Sequence, residues 1–255
     1  LAVRGDADGA VVSVDASGAR KELATRLIAI ADGGAQLDVA HVRTRDYRQS
    51  AVVCDVVSEQ LHQNRAFERF TPDGPIALLP SARGWSLVWT AQPERAQQLA
   101  TLGEAEFCGR LQAGFGAAAG VFTAASRRQV FPLALKVATR PVAPRTLLIG
   151  NAAQTLHPVA GQGFNLGLRD AWELARSILA RGECDPGGSG LLKEYFAQRR
   201  LDRIATILFT DTLIHLFCKD IPLANAVRGL GLAAFGAIPA AKNFLARRMM
   251  FGARG

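Results

Sequence analysis

The sequence predicts a mixed α/β fold in which a β-rich first part is followed by long helices. Residues 26–31 (RLIAIA) read as a buried strand and end in the turn signal Asp32-Gly33-Gly34. Residues 84–90 alternate apolar and polar side chains, as a strand with one buried face does. Helical patterns dominate after residue 164. With 255 residues, of which 49% are hydrophobic, the chain can bury a sizeable core.

The first 137 residues contain most of the predicted strands. Residues 10–15 form a short strand, and the β-branched stretch AVVCDVV opens a sheet that continues through PIALLPSARGWSLVWT. Ser-Ala-Arg-Gly is a plausible hairpin connection within that stretch. A helix is expected near residues 93–113. Residues 41–137 are therefore predicted to form a β-sheet module.

The second half alternates a short strand with long helices. PRTLLIG predicts a strand, and a helix runs from Phe164 to about residue 181, where Gly182 can end it. A second helix spans residues 189–219 before Pro222, with an apolar stripe at Leu201, Ile204 and Leu208. The remainder, to residue 255, reads as short helical pieces. Residues 183–255 are predicted to be a C-terminal helical region.

Charge and cysteine content narrow the classes of binding partner and the cellular compartment. The net charge is +8, and no acidic residue follows Asp220, whereas five basic residues do: Arg228, Lys242, Arg247, Arg248 and Arg254. This tail is either simply solvated or attracted to an anionic membrane surface or acidic partner. Few aromatics argue against nucleic acid. Four scattered cysteines without metal-ligand spacing favour a reducing cytoplasm. The predicted location is therefore the cytoplasm, and the basic tail adds the expectation of peripheral contact at the inner membrane surface.

The stretch GNAAQTLHPVAGQGFNLG at residues 150–167 has the glycine spacing G-x-G-x-x-x-G. A pyrophosphate loop should follow its strand directly, but Gly161 lies eleven residues after Gly150, where the strand ends. The stretch fits a flat cofactor that lies against bare backbone at a helix N-terminus better than it fits a pyrophosphate. A reduced, anionic flavin is such a cofactor. The local sequence leaves a second interpretation open, in which the stretch is a glycine-rich turn before a packed helix.

The stretch resembles the second FAD motif of the group A FAD-dependent aromatic hydroxylases, which have the para-hydroxybenzoate hydroxylase fold. Their G-D-A-A-H…P-x-x-G-Q-G-x-N-x-G-x-x-D-A pattern appears here as G-N-A-A-Q, then HPVAGQGFNLGLRDA. The Asn and Gln, with RAFERFTPDGPIALLP and DTLIHLF, resemble the ubiquinone-biosynthesis branch, most of all the 2-polyprenyl-6-methoxyphenol hydroxylases. The resemblance covers nearly the whole chain.

The resemblance implies a set of cofactor-binding residues. Asn151 stands where the family's aspartate binds the ribityl chain of FAD, and Asp32 and Gly33 resemble a second conserved turn. The flavin-ring loop corresponds to Pro158, Gly161, Gln162, Gly163, Phe164 and Asn165. Asp170 is expected to act only through helix-end electrostatics. Residues 1–40 and 138–182 would form a partial FAD-binding domain.

The resemblance also implies an activity: hydroxylation of a polyprenylated phenol with FAD as cofactor, NAD(P)H as reductant and O₂ as co-substrate. His157 is the one weak catalytic candidate, and no metal is expected. Candidate substrate-lining residues are Trp85, Trp89, Phe131 and Leu133. Other ubiquinone-biosynthesis proteins are possible partners. The alternative function is a non-catalytic interaction protein that keeps the flavin fold within a quinone-biosynthesis assembly.

The family's first motif, a strand, G-x-G-x-x-G and a helix that hold the FAD pyrophosphate, does not occur in this sequence. We therefore expect the chain to be the C-terminal part of a longer protein, truncated at the N-terminus relative to the family fold. Alone, it is expected to purify without stoichiometric FAD, because a ligand held at one of its two ends loses much of its affinity.

Overall fold

A computed structural model describes residues 2–16, 18–33, 41–182, 184–217 and 224–252. The fold contains two small three-stranded sheets. The first is an antiparallel meander of β1 (Ala2–Gly5), β2 (Ala10–Ala16) and β3 (Ala19–Thr25). The second joins strands that are distant in sequence: β4 (Ile28–Ile30), β11 (Val142–Ala143) and β12 (Thr146–Leu148). In it β12 pairs with β4 in parallel and with β11 in antiparallel orientation.

A large antiparallel sheet forms the middle of the fold. Its strands are β5 (Val42–Ser58), β6 (Phe67–Thr71), β7 (Gly74–Ser81), β8 (Gly84–Ala91), β9 (Phe122–Ala125), β10 (Gln129–Ala138) and β13 (Gln154–Thr155). The order is β13-β10-β5-β8-β7-β6, with β9 paired to β5. Ser81 pairs with Gly84 in the β7–β8 hairpin, which confirms the predicted Ser-Ala-Arg-Gly connection.

One face of the large sheet packs against two helices and forms the main core. The predicted helix at residues 93–113 is wrong in one respect, because the structure has α1 (Pro93–Thr101) and α2 (Glu104–Phe115) instead. Leu102 and Gly103 have extended backbone angles, which separate the two helices. The core includes Trp85, Trp89, Phe107 and Leu111, all buried.

The C-terminal half contains four helices among the described residues. They are α3 (Gln162–Leu179), α4 (Ser189–Phe217), α5 (Ala224–Ala237) and α6 (Pro239–Phe251). Two short 3₁₀ turns, Gly150–Ala152 and Val159–Gly161, precede α3. Helix α3 begins two residues before the predicted start at Phe164. The predicted end of the second helix, at residue 219 before Pro222, lies outside the described residues.

Helix α4 buries a polar face, contrary to the prediction from its apolar stripe. Leu201, Ile204 and Leu208 are 72%, 44% and 59% exposed. The buried positions of the helix include Arg199, Asp202, Arg203, Thr206 and Thr210. A single carboxylate oxygen of Asp202 pairs with Arg169 Nε of α3 at 2.9 Å and with Arg199 Nη1 at 2.8 Å. Ion pairs therefore hold this part of α4 against α3, whereas apolar packing of Leu174 joins the two helices near the start of α4.

This reversed face predicts opposite effects of substitution at two adjacent positions. Asp202→Ala should lower the free energy of unfolding by about 3–5 kcal/mol, because it removes the carboxylate that pairs with two buried guanidinium groups, those of Arg169 and Arg199. Leu201→Ala should change it by no more than about 0.5 kcal/mol, as exposed positions usually do. Urea denaturation of both variants tests the assignment. A larger loss from Leu201→Ala than from Asp202→Ala would show that the apolar stripe is the packed face.

Candidate functional site

Two strand ends meet at one edge of the small parallel sheet. Because β4 and β12 run in parallel and Leu148 lies opposite Ile30, the turns that follow them leave the sheet at the same edge. The backbone N–H of Ile149 also donates to Ile30 O at 3.0 Å. This places the turn at Asp32-Gly33 beside the turn at Gly150-Asn151. Such carboxyl-end crevices are where α/β sheets bind ligands.

Asp170 holds the second of these turns in place. Its Oδ2 accepts hydrogen bonds from the Gly150 N–H at 3.1 Å and from Gln154 Nε2 at 2.8 Å. Its Oδ1 accepts one from Arg199 Nε at 2.9 Å. The side chain is buried. The expectation that Asp170 acts only through helix-end electrostatics is therefore wrong, because it links the strand end, the loop and α4 through specific bonds.

The glycine-rich loop ends in two consecutive left-handed residues. Ala160 has φ 60° and ψ 10°, and Gly161 has φ 60° and ψ 22°. Such a conformation costs a residue with a Cβ on the order of 1 kcal/mol, so the surrounding contacts must impose it at Ala160. The turn aims the chain into α3, whose N-cap is Gly161. The N–H groups of Gln162, Gly163 and Phe164 have no partner within the helix and carry its positive dipole end.

The space beside this helix start is open. A Cβ added to Gly161 would meet no atom within 4 Å, and one at Gly163 would meet only Asn151 Oδ1, at 4.0 Å. Gly167 differs, since its Cβ would lie 3.2 Å from Gly150 Cα. Gly167 thus permits close packing of α3 on the strand end, whereas Gly161 and Gly163 line open space. The exposed Asn151 stands at the border of that space.

His157 lies buried under the loop. Its Nδ1 accepts the Val159 N–H at 3.1 Å, which places the proton on Nε2, and that nitrogen has no partner among the described residues. The ring meets Tyr47 edge-on, with centroids 5.1 Å apart, and the Tyr47 hydroxyl donates to Asp211 at 2.7 Å. Burial lowers the pKa of His157 to about 4. The imidazole is therefore neutral at physiological pH.

The loop also touches the second face of the large sheet. Ala160 N–H donates to Glu68 Oε1 at 3.2 Å, and Phe70, two residues along β6, stacks on Phe217 of α4 at 4.5 Å. Phe131 lies opposite Ala51, which lies opposite Thr90, so these side chains point to this same face. The face turned away from α1 and α2 therefore lies next to the loop.

The structure divides the predicted substrate-lining residues between the two faces. Trp85 and Trp89 are only 2% and 3% exposed, and they pack between the sheet and α1 and α2. They lie on the face opposite the loop, which corrects their placement in a substrate pocket. Phe131, 49% exposed, and the half-buried Leu133 lie on the loop side.

Several residues of the site were missed by the sequence analysis: Tyr47, Glu68, Gln154, Arg199 and Asp211. Gln154 lies within the quoted G-N-A-A-Q segment, but its bond to Asp170 was not anticipated. The partners of the other four lie between 29 and 164 positions away in sequence, so no local motif joins them. Gly33 has φ +79° and Asp32 is exposed, while the residues that follow, 34–40, lie outside the described part. Among the described residues, no group of three His, Cys, Asp or Glu side chains could hold a metal ion. No helix in the described ranges is long and apolar enough to cross a membrane.

Comparison with protein families gives a match to the FAD binding domain over residues 1–208. The chain is 39% identical over 212 residues to the ubiquinone hydroxylase UbiL of Rhodospirillum rubrum, covering 82% of this chain and 49% of that protein. It is 34% identical over 196 residues to the 3-demethoxyubiquinol 3-hydroxylase of Escherichia coli, covering 76% and 50%. The chain thus spans about half the length of these curated relatives.

Solved structures share the fold. The p-nitrophenol 4-monooxygenase PnpA of Pseudomonas putida matches with a TM-score of 0.77 and 18% identity, over 99% of this chain and 66% of that one. The anhydrotetracycline hydroxylase OxyS of Streptomyces rimosus matches with a TM-score of 0.69 and 23% identity, over 98% and 50%. At these identities the likeness establishes the architecture, which agrees with the predicted para-hydroxybenzoate hydroxylase-like fold.

The buried His157 predicts a pH dependence of stability. Its pKa, about 4 when folded, lies below the roughly 6.5 of an unfolded histidine, so the unfolded chain binds more protons between these values. The stabilisation is complete above about pH 6.5 and is lost as the pH falls towards 4, on the order of 3 kcal/mol in all. Urea denaturation between pH 7 and 4 measures it.

The control for this prediction separates His157 from the carboxylates that also titrate in acid. His157→Gln keeps an acceptor for the Val159 N–H but cannot gain a proton, so its stability should fall less than the parent's over the same range. His41→Gln, at an exposed position, should behave like the parent. Parallel curves for the parent and His157→Gln would contradict the buried neutral imidazole.

Proposed function

The chain belongs to the FAD binding domain family, and we propose that it holds the flavin ring of an FAD-dependent monooxygenase that hydroxylates a lipophilic phenol of ubiquinone biosynthesis. The observation that carries the proposal is the open space at Gly161 and Gly163, in front of the free N-terminus of α3. Two parallel strand ends deliver Asn151 and the Asp32-Gly33 turn to the same place.

The site suits the isoalloxazine and ribityl end of FAD. Left-handed backbone at Ala160 and Gly161 leaves no side chain in front of the helix, so a planar ring can lie against the main chain. Asn151 borders this space with an amide that has no hydrogen-bond partner among the described residues, and its oxygen can accept a ribityl hydroxyl. Gln162 supports the turn through its own bond from Nε2 to Ala160 O at 3.1 Å.

The helix start contributes electrostatics. When bound and reduced by NAD(P)H, FAD would supply the reduced ring that activates O₂ for transfer of one oxygen atom to the phenol. The protein's part is to stabilise negative charge on that ring. The N–H groups of Gln162, Gly163 and Phe164 are fixed in direction before any charge develops, which makes them effective for this purpose. Asn165 continues the same first turn of the helix, and its N–H is the first to bond within it, to the N-cap carbonyl.

His157 serves as a positioning residue in this proposal. The neutral, buried imidazole accepts the Val159 N–H at Nδ1. This bond fixes the chain at Val159, one residue before the left-handed turn that begins at Ala160. Its low pKa makes it a poor acceptor for a substrate proton at neutral pH. Tyr47 of the large sheet contacts the imidazole edge-on, and Asp211 of α4 accepts the hydrogen bond of the Tyr47 hydroxyl.

The substrate is proposed to lie on the sheet face that adjoins the loop. Phe131 and Leu133 offer apolar surface there, and Phe70 with Phe217 closes one side. Two relatives carry names that specify ubiquinone or a demethoxyubiquinol as the compound hydroxylated. A polyprenylated phenol is the corresponding substrate class for this chain, and other enzymes of ubiquinone biosynthesis are its proposed partners.

A chimera tests the activity. The part of the Rhodospirillum rubrum ubiquinone hydroxylase that this chain matches is replaced by residues 1–255, and the chimera is supplied with FAD, NAD(P)H and a short-chain prenylated phenol. A product heavier by one oxygen atom is expected, and its formation should require both FAD and NAD(P)H. A chimera that binds FAD and oxidises NAD(P)H with every phenol tried, yet never forms such a product, would contradict the proposed reaction.

Gly163→Val tests the ring position. The added Cβ meets no protein atom closer than 4.0 Å, so the fold should tolerate the side chain while a bound ring does not. Overpacking typically costs about 1–3 kcal/mol, so the affinity for riboflavin and FAD should fall roughly tenfold or more. Flavin fluorescence titration of the 255-residue chain measures the change. Gly109→Val, on an exposed side of α2 with open space around it, is the matched control and should bind flavin like the parent. Parent-like binding by Gly163→Val would remove the ring from this loop.

Asn151→Ala tests the ribityl contact. Loss of one neutral hydrogen bond should lower flavin affinity by about 1 kcal/mol, whereas Asn151→Asp keeps the acceptor and should bind nearly as the parent does. The same fluorescence titration compares the three proteins. An unchanged affinity in Asn151→Ala would exclude the residue from the site.

A further inference from the structure

We propose that helices α5 and α6 form an arm that docks on an anionic lipid surface. The proposal does not depend on the reaction of the flavin site. It rests on the position of the two helices in the fold, the side chains they expose and the sign of their charge.

Helix α6 and the adjoining C-terminal part of α5 expose apolar side chains. No residue of α6 is buried among its thirteen, and five large hydrophobic residues of the arm lie open: Phe235 (37%), Ile238 (53%), Phe244 (72%), Met250 (56%) and Phe251 (61%). A single exposed apolar side chain needs no explanation, but several on one short hairpin point to a binding surface. Ile238 lies at the junction between the helices, where its N–H bonds to Phe235 O at 3.3 Å.

The charge of the arm has one sign. Residues 221–255 contain no acidic residue, and α5 carries Arg228 while α6 carries Lys242, Arg247 and Arg248. Anionic headgroups attract basic residues near the membrane surface, and exposed apolar side chains gain free energy when they enter the boundary between headgroups and acyl chains. The backbone is satisfied within the helices, so the arm can enter the headgroup layer without exposing unpaired peptide groups.

The arm is fixed to the body at one end. Met249 O accepts a hydrogen bond from Arg169 Nη1 at 2.8 Å. Gly252, at φ +76°, packs so closely that a Cβ there would lie 2.7 Å from Asp202 Oδ1. At 1.5 Å per residue, α6 is roughly 20 Å long, so the junction at Ile238 stands about that far from the anchor. Arg169 directly precedes Asp170, so the arm is attached next to the residue that holds the flavin loop.

Lipid is a better occupant of this surface than a second copy of the chain. Two copies that met through their arms would bring arginines and lysines together with no carboxylate in either described arm to pair with them, which opposes association. An anionic bilayer supplies both the negative charge and the apolar layer that the arm lacks. The two occupants also differ in what the experiment below measures.

The experiment is co-sedimentation of the 255-residue chain with vesicles of phosphatidylcholine alone or with 30% phosphatidylglycerol. We expect binding to the anionic vesicles to exceed binding to the neutral ones about tenfold or more, and 0.5 M NaCl to weaken it. The double variant Arg247→Gln/Arg248→Gln should bind the anionic vesicles roughly tenfold to thirtyfold more weakly. The matched control, Arg43→Gln/Arg127→Gln, removes the same charge from exposed positions elsewhere and should bind like the parent.

The apolar part of the surface is tested by Phe244→Ser against Leu61→Ser, an 89% exposed position outside the arm. Only Phe244→Ser should lower vesicle binding, and circular dichroism confirms that each variant is folded. Equal binding of the parent to neutral and anionic vesicles would overturn the proposal, as would equal losses in the arm and control variants. Light scattering without vesicles measures whether a second copy of the chain binds to the arm. A dimer in the parent that dissociates in Phe244→Ser would assign the arm to self-association instead of lipid binding.

Discussion

The buried carboxylate of Asp170 is the contact on which the rest of the site depends. It receives the Gly150 N–H, the Gln154 amide and the Arg199 guanidinium, and so joins the end of β12, the start of the loop and helix α4. The Tyr195 hydroxyl bonds to the backbone oxygen of the same residue. Because a buried carboxylate is costly unless its acceptor positions are used, displacing Gly150 and Gln154 would leave Oδ2 without these donors, while Oδ1 kept its bond to Arg199.

The charges around Asp170 do not balance among themselves, and the imbalance organises further elements. Three arginines, at 169, 199 and 203, share two carboxylates, Asp170 and Asp202, within the buried network. Burial lowers the pKa of Arg203, whose Nη2 is satisfied by Ala138 O and Ala153 O, each at 2.9 Å. Arg169 similarly takes Met249 O. Through these backbone carbonyls, Arg203 fixes the end of β10 and the segment at Ala153, and Arg169 fixes the C-terminal end of α6.

Sequence reasoning succeeded where the information is contiguous. The strand before Gly150, the turn at residues 81–84 and the long helix from residue 189 each follow from a local pattern. It failed where partners lie far apart. The apolar stripe of α4 gave the wrong face, because the burial of Asp202 depends on Arg169, 33 positions away. Alternation at Trp85 and Trp89 indicated one apolar face, but only the packing of α1 and α2 decides which side that is.

The three glycines of the G-x-G-x-x-x-G spacing, Gly161, Gly163 and Gly167, are each explained by a separate structural constraint. Gly161 takes a left-handed conformation at the helix N-cap, where glycine has no steric penalty. Gly163 has an ordinary helical position and borders open space near Asn151. Gly167 lets α3 approach the strand end at Gly150. In a pyrophosphate loop, strand, glycines and helix follow one another directly, so that the phosphates meet the helix start. Here Gly161, the first of the three glycines, lies eleven positions after Gly150 at the strand end. The intervening residues carry the chain through His157 and Pro158 before α3 begins, so the helix start lies beside Asn151 and does not follow the strand end directly.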